Sequence, residues 1–310
     1  MKTNRHDYKL VPYPKIRRVL SAMLRTVQRK HMMHGLVEMD VTKAHQYMRE
    51  YKAKTGESLS FTAFIVTCLA RAVDENKYVH AYRKGRNQLV LFDDVDVTVQ
   101  VERKVDRQKK SVPSTLATLS SQKPGHTNVD DLKKNRVDTM FPHIIRAANK
   151  KTFREIHHEI REAQEERVET TLKFKAVKWT ASLPTFMIVI IWRLLWWMII
   201  KYPRLQKKYG GTVGITAVGM FGRGSGWGIS TAAHTLDITL GGIGEKLVIV
   251  GGQLETREYL SMTISMDHDI IDGAPATRFA LRLKDLIESG YGLFDQDTQH
   301  DDISDGDKHQ

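Results

Sequence analysis

The sequence predicts an α/β fold, a two-layer sandwich in which helices cover a mixed β-sheet. The clearest strand ends at residue 266, and its alternating apolar residues are Leu260, Met262, Ile264 and Met266. An amphipathic helix follows, opened by Pro275 and closed by Gly290. Another strand, Val95–Val101, alternates valines with polar residues, which indicates that only one face of the sheet is buried.

The N-terminal part alternates between helical and strand patterns. Apolar residues at helical spacing predict a helix over Lys15–Lys30, and Leu36–Val41 reads as a short strand. Thr42 is expected to cap a helix that Gly56 ends. Ser60 caps the strongest helical pattern, whose apolar positions 61, 64, 65, 68, 69, 72 and 73 form one face.

The next part of the chain is expected to carry a polar insertion. Strands are predicted around Tyr78–Tyr82 and Gln88–Phe92. Residues 103–139 then become rich in Lys, Ser, Thr and Asp without sustained periodicity, which is typical of a long surface insertion or loop. A strand over Met140–Arg146 ends this stretch.

Histidine and cysteine give no metal site in this part of the chain. A capping box of Thr152 with Glu155 starts a helix, and His157 and His158 on it are interpreted as surface residues. No second His or Cys stands at metal-ligand spacing, so no metal is predicted. Cys68 lies among apolar helix positions and is expected to be a core residue. As the one cysteine of the sequence it can form no internal disulfide, which favours a reducing compartment.

The C-terminal third is rich in strands. Val213–Val218, Leu236–Ile243 and Lys246–Val250 read as strands, and Gly251-Gly252 is expected to turn the chain into the next strand. These strands and the helices before them are expected to share one sheet and one core.

Length and charge favour one domain with an anionic partner. We expect a domain over residues 1–294, with insertions at 103–139 (polar) and 170–209 (apolar and basic), and a disordered acidic tail over 295–310. A net charge of +12 suits nucleic acid, an acidic membrane surface or a phosphate-bearing molecule. The basic residues are scattered and do not interleave with aromatics, so no nucleic acid is predicted. The polar N-terminus lacks a signal peptide, which predicts a cytoplasmic protein, with the inner face of the membrane as an alternative.

Residues 183–200 are an apolar run about as long as a membrane span requires, with Arg193 as its one charge. Basic residues flank the run, and its tryptophans suit a membrane interface. A single crossing would place strands of one predicted sheet on opposite sides of a bilayer. Three interpretations stay open: an interfacial helix or helical hairpin, a helix buried in the protein or at an oligomer contact, and a span.

The connection between the last strand and the last helix carries the most chemistry. His268 is followed four residues later by Asp272 and then by Gly273. A histidine on a tight strand-to-helix connection, with a carboxylate in reach, is a candidate general base. A surface loop that holds a His and three acids is an equally good interpretation of the spacing alone.

Several strings in order resemble the catalytic domain of the 2-oxo acid dehydrogenase dihydrolipoamide acyltransferases, which have the chloramphenicol acetyltransferase-like fold. The family signature His-x-x-x-Asp-Gly is met by His268, Asp272 and Gly273. Residues 210–222 read GGTVGITAVGMFG, similar to the family's GGTFTISNLGMFG. The strings Lys15–Arg18, Ser60–Phe64 and Arg146–Lys151 also match.

The resemblance implies an acyltransferase that uses coenzyme A as a substrate. It implies His268 as general base, Thr216 as the donor that stabilises the oxyanion, and Asp272 as a brace that pairs with Arg17. In this family the site lies at the subunit boundary of a trimer. The expected partners are therefore acyl-coenzyme A, an acyl acceptor and further copies of the chain, in a homotrimer or larger assembly.

Departures from the family pattern point to a stand-alone branch with a different acceptor. The sequence shows no lipoyl domain, so no covalent lipoyl group is expected. Asp269 stands where the lipoamide enzymes carry Arg. His234 lies in Ala232–Thr235, where the family has an Asn-Pro-Pro-Gln-like sequence. His234 could contact the acceptor, although a lone His is more often structural. The alternatives to an acyltransferase are a non-catalytic oligomeric scaffold and a membrane-attached, acyl-lipid-handling protein that uses 183–200.

Overall fold

The structure is a computed structural model of the 310-residue chain. It describes residues 30–106, 136–165, 185–218 and 224–294, together with Ser21 and Leu24. Contacts divide the chain into two compact units. One comprises residues 27–103, 140–166 and 199–310, and the other comprises 1–26, 104–139 and 167–198.

The order of elements alternates between strands and helices. The helices are α1 (Thr42–Thr55), α2 (Phe61–Glu75), α3 (Phe153–Glu165), α4 (Thr185–Lys201), α5 (Pro203–Gly210) and α6 (Gly273–Ser289). The strands are β1 (Met32–Asp40), β2 (Tyr82–Lys84), β3 (Gln88–Val90), β4 (Val97–Asp106), β5 (Arg136–Ile145), β6 (Val213–Ala217), β7 (Leu236–Val250) and β8 (Gln253–Asp267). Short 3-10 turns cover Lys77–His80 and Ala148–Lys150.

The main sheet has six strands in the order β1-β8-β7-β6-β4-β5, and β2 and β3 form a separate hairpin. β8 pairs antiparallel with β1 and β7, whereas β6 pairs parallel with β7 and β4, so the sheet is mixed as predicted. One row of the register joins Met266, Leu236, Val213 and Val97. The end of β8 therefore lies level with the starts of β7, β6 and β4.

Helices cover one face of this sheet and enclose the core. α2 packs against α3 and α6, and ten of its fifteen residues are buried. Its apolar side chains meet Val97, Val99, Ile215 and Ile238 of the sheet in one cluster. Cys68 lies in this cluster, where burial raises the pKa of its thiol far above the ordinary value, so it is the core residue that the sequence predicted.

The capping predictions for Ser60 and for Thr152 with Glu155 are confirmed. The Ser60 hydroxyl accepts the N–H of Ala63 at 3.3 Å. In the capping box, Glu155 accepts the N–H of Thr152 at 2.7 Å, and Thr152 Oγ1 accepts the N–H of Glu155 at 3.3 Å. Gly251-Gly252 forms the two-residue turn between β7 and β8, because both glycines adopt positive φ angles.

Several predictions of local structure are wrong, and the two strands expected over 236–243 and 246–250 are one continuous strand, β7. Residues 78–80 form a 3-10 turn instead of a strand, because the buried His80 ring reaches back to the Phe92 carbonyl at 3.1 Å. Thr42 is the first residue of α1 and not its cap, since its hydroxyl accepts the N–H of Glu258 at 2.8 Å. His157 is buried instead of exposed.

His157 is buried because its ring joins α3 to the start of α2. Nδ1 accepts the N–H of Ser60 at 3.1 Å, and Nε2 lies 3.1 Å from a carboxylate oxygen of Glu57. The neighbouring His158 is exposed, as predicted. Both nitrogens of the buried His157 ring are therefore hydrogen-bonded, one to a backbone N–H and one to a carboxylate.

The predicted insertions are only partly described. β4 extends to Asp106 and β5 begins at Arg136, so strand structure reaches into both ends of 103–139. Residues 107–135 and 166–184, most of Lys15–Lys30 and the tail 295–310 lie outside the described residues. The apolar run 183–200 corresponds to α4, and none of the helices described is long and apolar enough to cross a membrane.

Candidate active site

His268 lies directly after β8, in the turn that connects this strand to α6. Its backbone N–H donates to the carbonyl of His31 at 2.8 Å, which ties the turn to the start of β1. The imidazole is 52% exposed, and its Nδ1 lies 3.9 Å from Oδ1 of Asp272. An accessible imidazole on a fixed turn can accept a proton from a bound substrate.

Asp267 fixes the backbone of this turn. Its Oδ1 accepts the N–H of Asp269 at 3.1 Å, and its carbonyl accepts the N–H groups of Ile270 and Ile271, both at 3.0 Å. The Lys30 ammonium lies 3.8 Å from Asp267 Oδ2. Burial lowers the pKa of Lys30, and the neighbouring carboxylates oppose that shift. A charge pair beneath the turn therefore holds the backbone that carries His268.

Asp269 forms a hydrogen bond with His31. His31 Nδ1 lies 2.9 Å from Asp269 Oδ1, with the side chains 80% and 39% exposed. The position at which the resemblance places an arginine thus carries a histidine–carboxylate pair beside His268. Sequence reasoning missed His31 and Lys30 as site residues, because each contacts a partner more than two hundred residues away.

Asp272 and Gly273 form the junction with α6. Asp272 is the N-cap residue, and its carbonyl accepts the N–H of Ala276 at 3.1 Å. Its carboxylate makes no capping bond and is 86% exposed, so it is available to the His268 ring. Gly273, and not Pro275, is the first residue of the helix. Arg17 lies outside the described residues, so its pairing with Asp272 stays a prediction.

Thr216 lies near the end of β6, on the face of the sheet opposite the helices. Val213 and Ile215 point into the core, and alternation places Thr216 on the other face. In the register it pairs with Thr239 of β7, which pairs with Thr263 of β8. Thr216 is only half-buried, so a donor hydroxyl faces away from the core.

Within one chain His268 and Thr216 do not meet. Thr216 is level with Thr263, five residues before His268 along β8, and two strand spacings to the side. At about 3.3 Å per residue and about 4.8 Å between strands, the two Cα atoms are roughly 19 Å apart. Even with both side chains extended toward each other, a gap of about 10 Å would remain, whereas each must lie within about 3 Å of its reacting atom.

His234 is buried beside a carboxylate. Its Nδ1 lies 2.8 Å from Asp237 Oδ1 and its Nε2 lies 2.6 Å from the carbonyl of Gly210, so both ring nitrogens face acceptors. Burial lowers the pKa of His234, but the Asp237 carboxylate and the Gly210 carbonyl outweigh it, and the net pKa is raised. No ring nitrogen is left for an acyl acceptor, in contrast to the contact considered from the sequence.

His234 belongs to a set of groups that hold the end of α5, called here the α5 clamp. Arg146 donates to the carbonyl of Lys207 at 2.8 Å and to that of Lys208, while His234 donates to that of Gly210. The carbonyl of Lys207 also accepts the N–H of Gly211 at 3.0 Å. Carbonyls in the last turn of a helix generally need partners from outside it, and cations at a helix C-terminus complement its dipole.

The clamp continues into the residues that enter β6. Tyr82 donates its hydroxyl to the carbonyl of Gly211 at 2.8 Å, and the N–H of Thr212 donates to the carbonyl of Asp96 at 2.7 Å. Gly211 has φ +77°, and a Cβ there would lie 2.5 Å from Thr98 Oγ1, so glycine is required. The backbone leading to Thr216 is therefore fixed on every side.

Solved structures define the class to which this fold belongs. The fold resembles that of a probable dihydrolipoamide acetyltransferase from Listeria monocytogenes, with a TM-score of 0.58 and 18% identity over 91% of this chain and 95% of the other. It also resembles the dihydrolipoamide acetyltransferase of Azotobacter vinelandii, with a TM-score of 0.61 and 16% identity over 94% and 96%. The protein is thus an α/β protein with the fold of acyltransferase catalytic cores, which confirms the predicted fold class.

Sequence comparison then gives the family. The profile of the 2-oxoacid dehydrogenases acyltransferase (catalytic domain) matches residues 5–105 and 204–294, and the chain belongs to this family. The lipoamide acyltransferase component of the branched-chain α-keto acid dehydrogenase complex of Bacillus subtilis is 20% identical over 91% of this chain and 52% of that relative. A succinyltransferase component from Saccharomyces cerevisiae is 34% identical over 27% of this chain and 18% of its own length. The chain spans about half or less of the length of these two sequence relatives.

Proposed function

We propose that the protein transfers an acyl group between coenzyme A and an acceptor thiol, with His268 as the general base and Thr216 as the oxyanion donor. Membership of the acyltransferase family supports the reaction type. The geometry of the turn supports the choice of base, because the His268 backbone is held by His31 and Asp267 while its ring stays accessible.

Each group has one task in the proposed reaction. His268 takes the proton from the attacking thiol, and the sulfur forms a bond to the carbonyl carbon of the bound thioester. The Thr216 hydroxyl donates to the oxygen that becomes negative in the tetrahedral intermediate. Collapse of this intermediate breaks the old carbon–sulfur bond, and the imidazolium returns its proton to the departing thiolate. Asp272, 3.9 Å from Nδ1, stabilises the imidazolium and moves no proton itself.

The separation of His268 from Thr216 within one chain is the observation that supports an oligomeric assembly. Two side chains about 19 Å apart at their Cα atoms cannot act on one carbonyl, so the proposed site requires two copies of the chain. A cyclic homotrimer, the arrangement implied by the resemblance, would supply three such boundaries. The atomic structure of a cubic core of a pyruvate dehydrogenase complex, with a TM-score of 0.60 to this chain, is a related fold within an assembly.

Charge supports the donor and restricts the acceptor. A net charge of +12 favours the phosphates of coenzyme A. The His31–Asp269 pair beside His268 presents a carboxylate where the lipoamide enzymes have an arginine, which supports an acceptor other than theirs.

Release of coenzyme A from acyl-coenzyme A donors, with a thiol acceptor supplied, tests the proposal. Chromatography must resolve coenzyme A from the acceptor, because one thiol is consumed for each one formed; this measurement is called thiol release below. His268→Ala is expected to lower turnover about 100- to 10,000-fold, the usual contribution of a general base. His158→Ala is the matched control, because His158 is exposed on α3 and lies outside the turn. Absence of turnover with every donor, together with absence of acyl-coenzyme A binding by calorimetry, would favour an oligomeric scaffold instead. Turnover that is unchanged in His268→Ala would reject the assigned base.

A further inference from the structure

α4 exposes a band of large apolar side chains. Within this 17-residue helix, Ile190, Leu194 and Trp197 are 53%, 61% and 60% exposed, and Met187 and Met198 are exposed as well. At 100° per residue, these five side chains fall within about 100° of the helix circumference. We call this band the α4 stripe. A contiguous apolar surface of this kind marks a binding site for a protein or a membrane.

Charge around the α4 stripe favours an anionic partner. The sequence contains no Asp or Glu between Glu169 and Asp237. Arg193 is exposed within α4, and exposed cations follow its C-terminus at Lys201, Arg204 and Lys208. The core of a protein–protein contact is usually depleted in lysine, whereas helices that lie on membranes combine an apolar face with basic residues.

The length of α4 and its aromatic residues fit a helix that lies along a bilayer surface. Seventeen residues extend about 26 Å, which is less than the roughly 30 Å of a hydrocarbon core. The exposed Trp197 belongs to the stripe, and Tyr202 and Tyr209 are exposed in the basic segment that follows. Tryptophan and tyrosine are enriched at the level of lipid headgroups, where one end of the ring is apolar and the other hydrated.

We propose that α4 docks on the surface of a membrane that contains anionic phospholipid, with the α4 stripe inserted among the headgroups and the exposed Arg193 of the same helix paired with a phosphate. The family profile matches residues 5–105 and 204–294, and α4 lies outside these ranges. The proposal goes beyond acyl transfer and does not depend on it.

Vesicle flotation of the full chain tests this proposal. We expect the wild-type protein to float with vesicles of phosphatidylcholine and phosphatidylglycerol, to float less with phosphatidylcholine alone, and to be released by salt. Leu194→Glu should weaken partitioning about tenfold or more, because a leucine side chain leaves the apolar phase and a like charge approaches the lipid. Leu281→Glu on α6 is the matched control, since Leu281 is 57% exposed and lies outside the stripe. Thiol release should be unchanged in both variants.

The results that would overturn the proposal are equally definite. Failure of the wild-type chain to float with the anionic vesicles rejects a lipid surface. Equal flotation of the wild-type protein and Leu194→Glu rejects the α4 stripe as the contact. If Leu194→Glu instead changes the mass of the assembly in light scattering while wild-type protein does not float, a second copy of the chain covers α4 and the proposal is wrong.

Discussion

Mixing two inactive variants is the sharpest test of the proposed site. His268→Ala removes the base and keeps the oxyanion donor, whereas Thr216→Ala does the reverse. Neither variant can form a complete site alone, because every copy lacks one of the two residues. The two residues are roughly 19 Å apart within a chain, so a complete site must combine residues of two copies. In an assembly that contains both, a boundary with His268 from one copy and Thr216 from the next regains every group.

The expected recovery follows from random assembly. With equal amounts of the two variants in a cyclic trimer, about one boundary in four receives both wild-type residues. Loss of the base costs about 100-fold or more, and loss of an oxyanion donor about 100- to 1,000-fold. The whole mixture should therefore show about a quarter of wild-type turnover, and a cyclic trimer that contains both variants about a third, on the order of 25 times or more the activity of either parent.

Co-expression with two different affinity tags gives the mixed assemblies, and thiol release measures their turnover. A useful control pairs wild-type chains with chains that carry both substitutions. In the whole mixture, a site built from two chains would keep about a quarter of the activity, because both neighbouring chains must be wild type. A site within one chain would keep about half. Tandem purification shows that both tags are present. If such assemblies have no more activity than the separate variants, His268 and Thr216 do not cooperate across a subunit boundary, and the reasoning fails.

The buried His234–Asp237 pair gives three further predictions. Asp237→Asn should lower the free energy of unfolding by about 3–5 kcal/mol, because it leaves a buried imidazolium without its counterion; urea denaturation measures this. The raised pKa of His234 makes its stabilising effect complete below about pH 6.5, the ordinary value, and lost as pH rises through the folded value. The stability difference between wild type and His234→Asn should therefore shrink between neutral and alkaline pH in thermal melts. Gly214→Ala should destabilise to an extent similar to Asp237→Asn, because its Cβ would overlap the Asp237 carboxylate.

Each of these predictions has a contrary result. A loss below about 1 kcal/mol for Asp237→Asn would mean that the pair is neutral. A stability difference that stays constant with pH would contradict a protonated His234. Gly35→Ala is the control for Gly214→Ala, since the nearest atom to a Cβ at Gly35 is 3.9 Å away, and equal destabilisation of both would contradict the steric argument.

Features set by local periodicity could be predicted from the sequence. The helix that begins at Ser60 and the strand that ends before His268 are where their patterns place them, because a buried face imposes its period on a short stretch of chain. The Gly251-Gly252 turn could be predicted as well, since few residues other than glycine adopt the positive φ angles that it requires. The turn with His268 was identified as a candidate site for the same reason: its residues are close in sequence.

Contacts between distant parts of the chain could not be predicted. His31 reaches Asp269 across 238 residues, and His157 reaches Glu57 across 100. Nothing near either histidine in the sequence distinguishes it from a surface residue, because its partner is chosen by the fold. The charge state of His234 likewise depends on the carbonyl of Gly210, a backbone group that carries no side-chain signature.

The α5 clamp has a consequence for how this chain can vary. Arg146 and His234 hold the last carbonyls of α5, so the position of β6 is decided downstream of Pro203. Chain added, shortened or exchanged before that proline meets a fixed boundary and leaves Thr216 where it is. The segment between α3 and α5 can therefore acquire a new binding surface while β6 keeps its position.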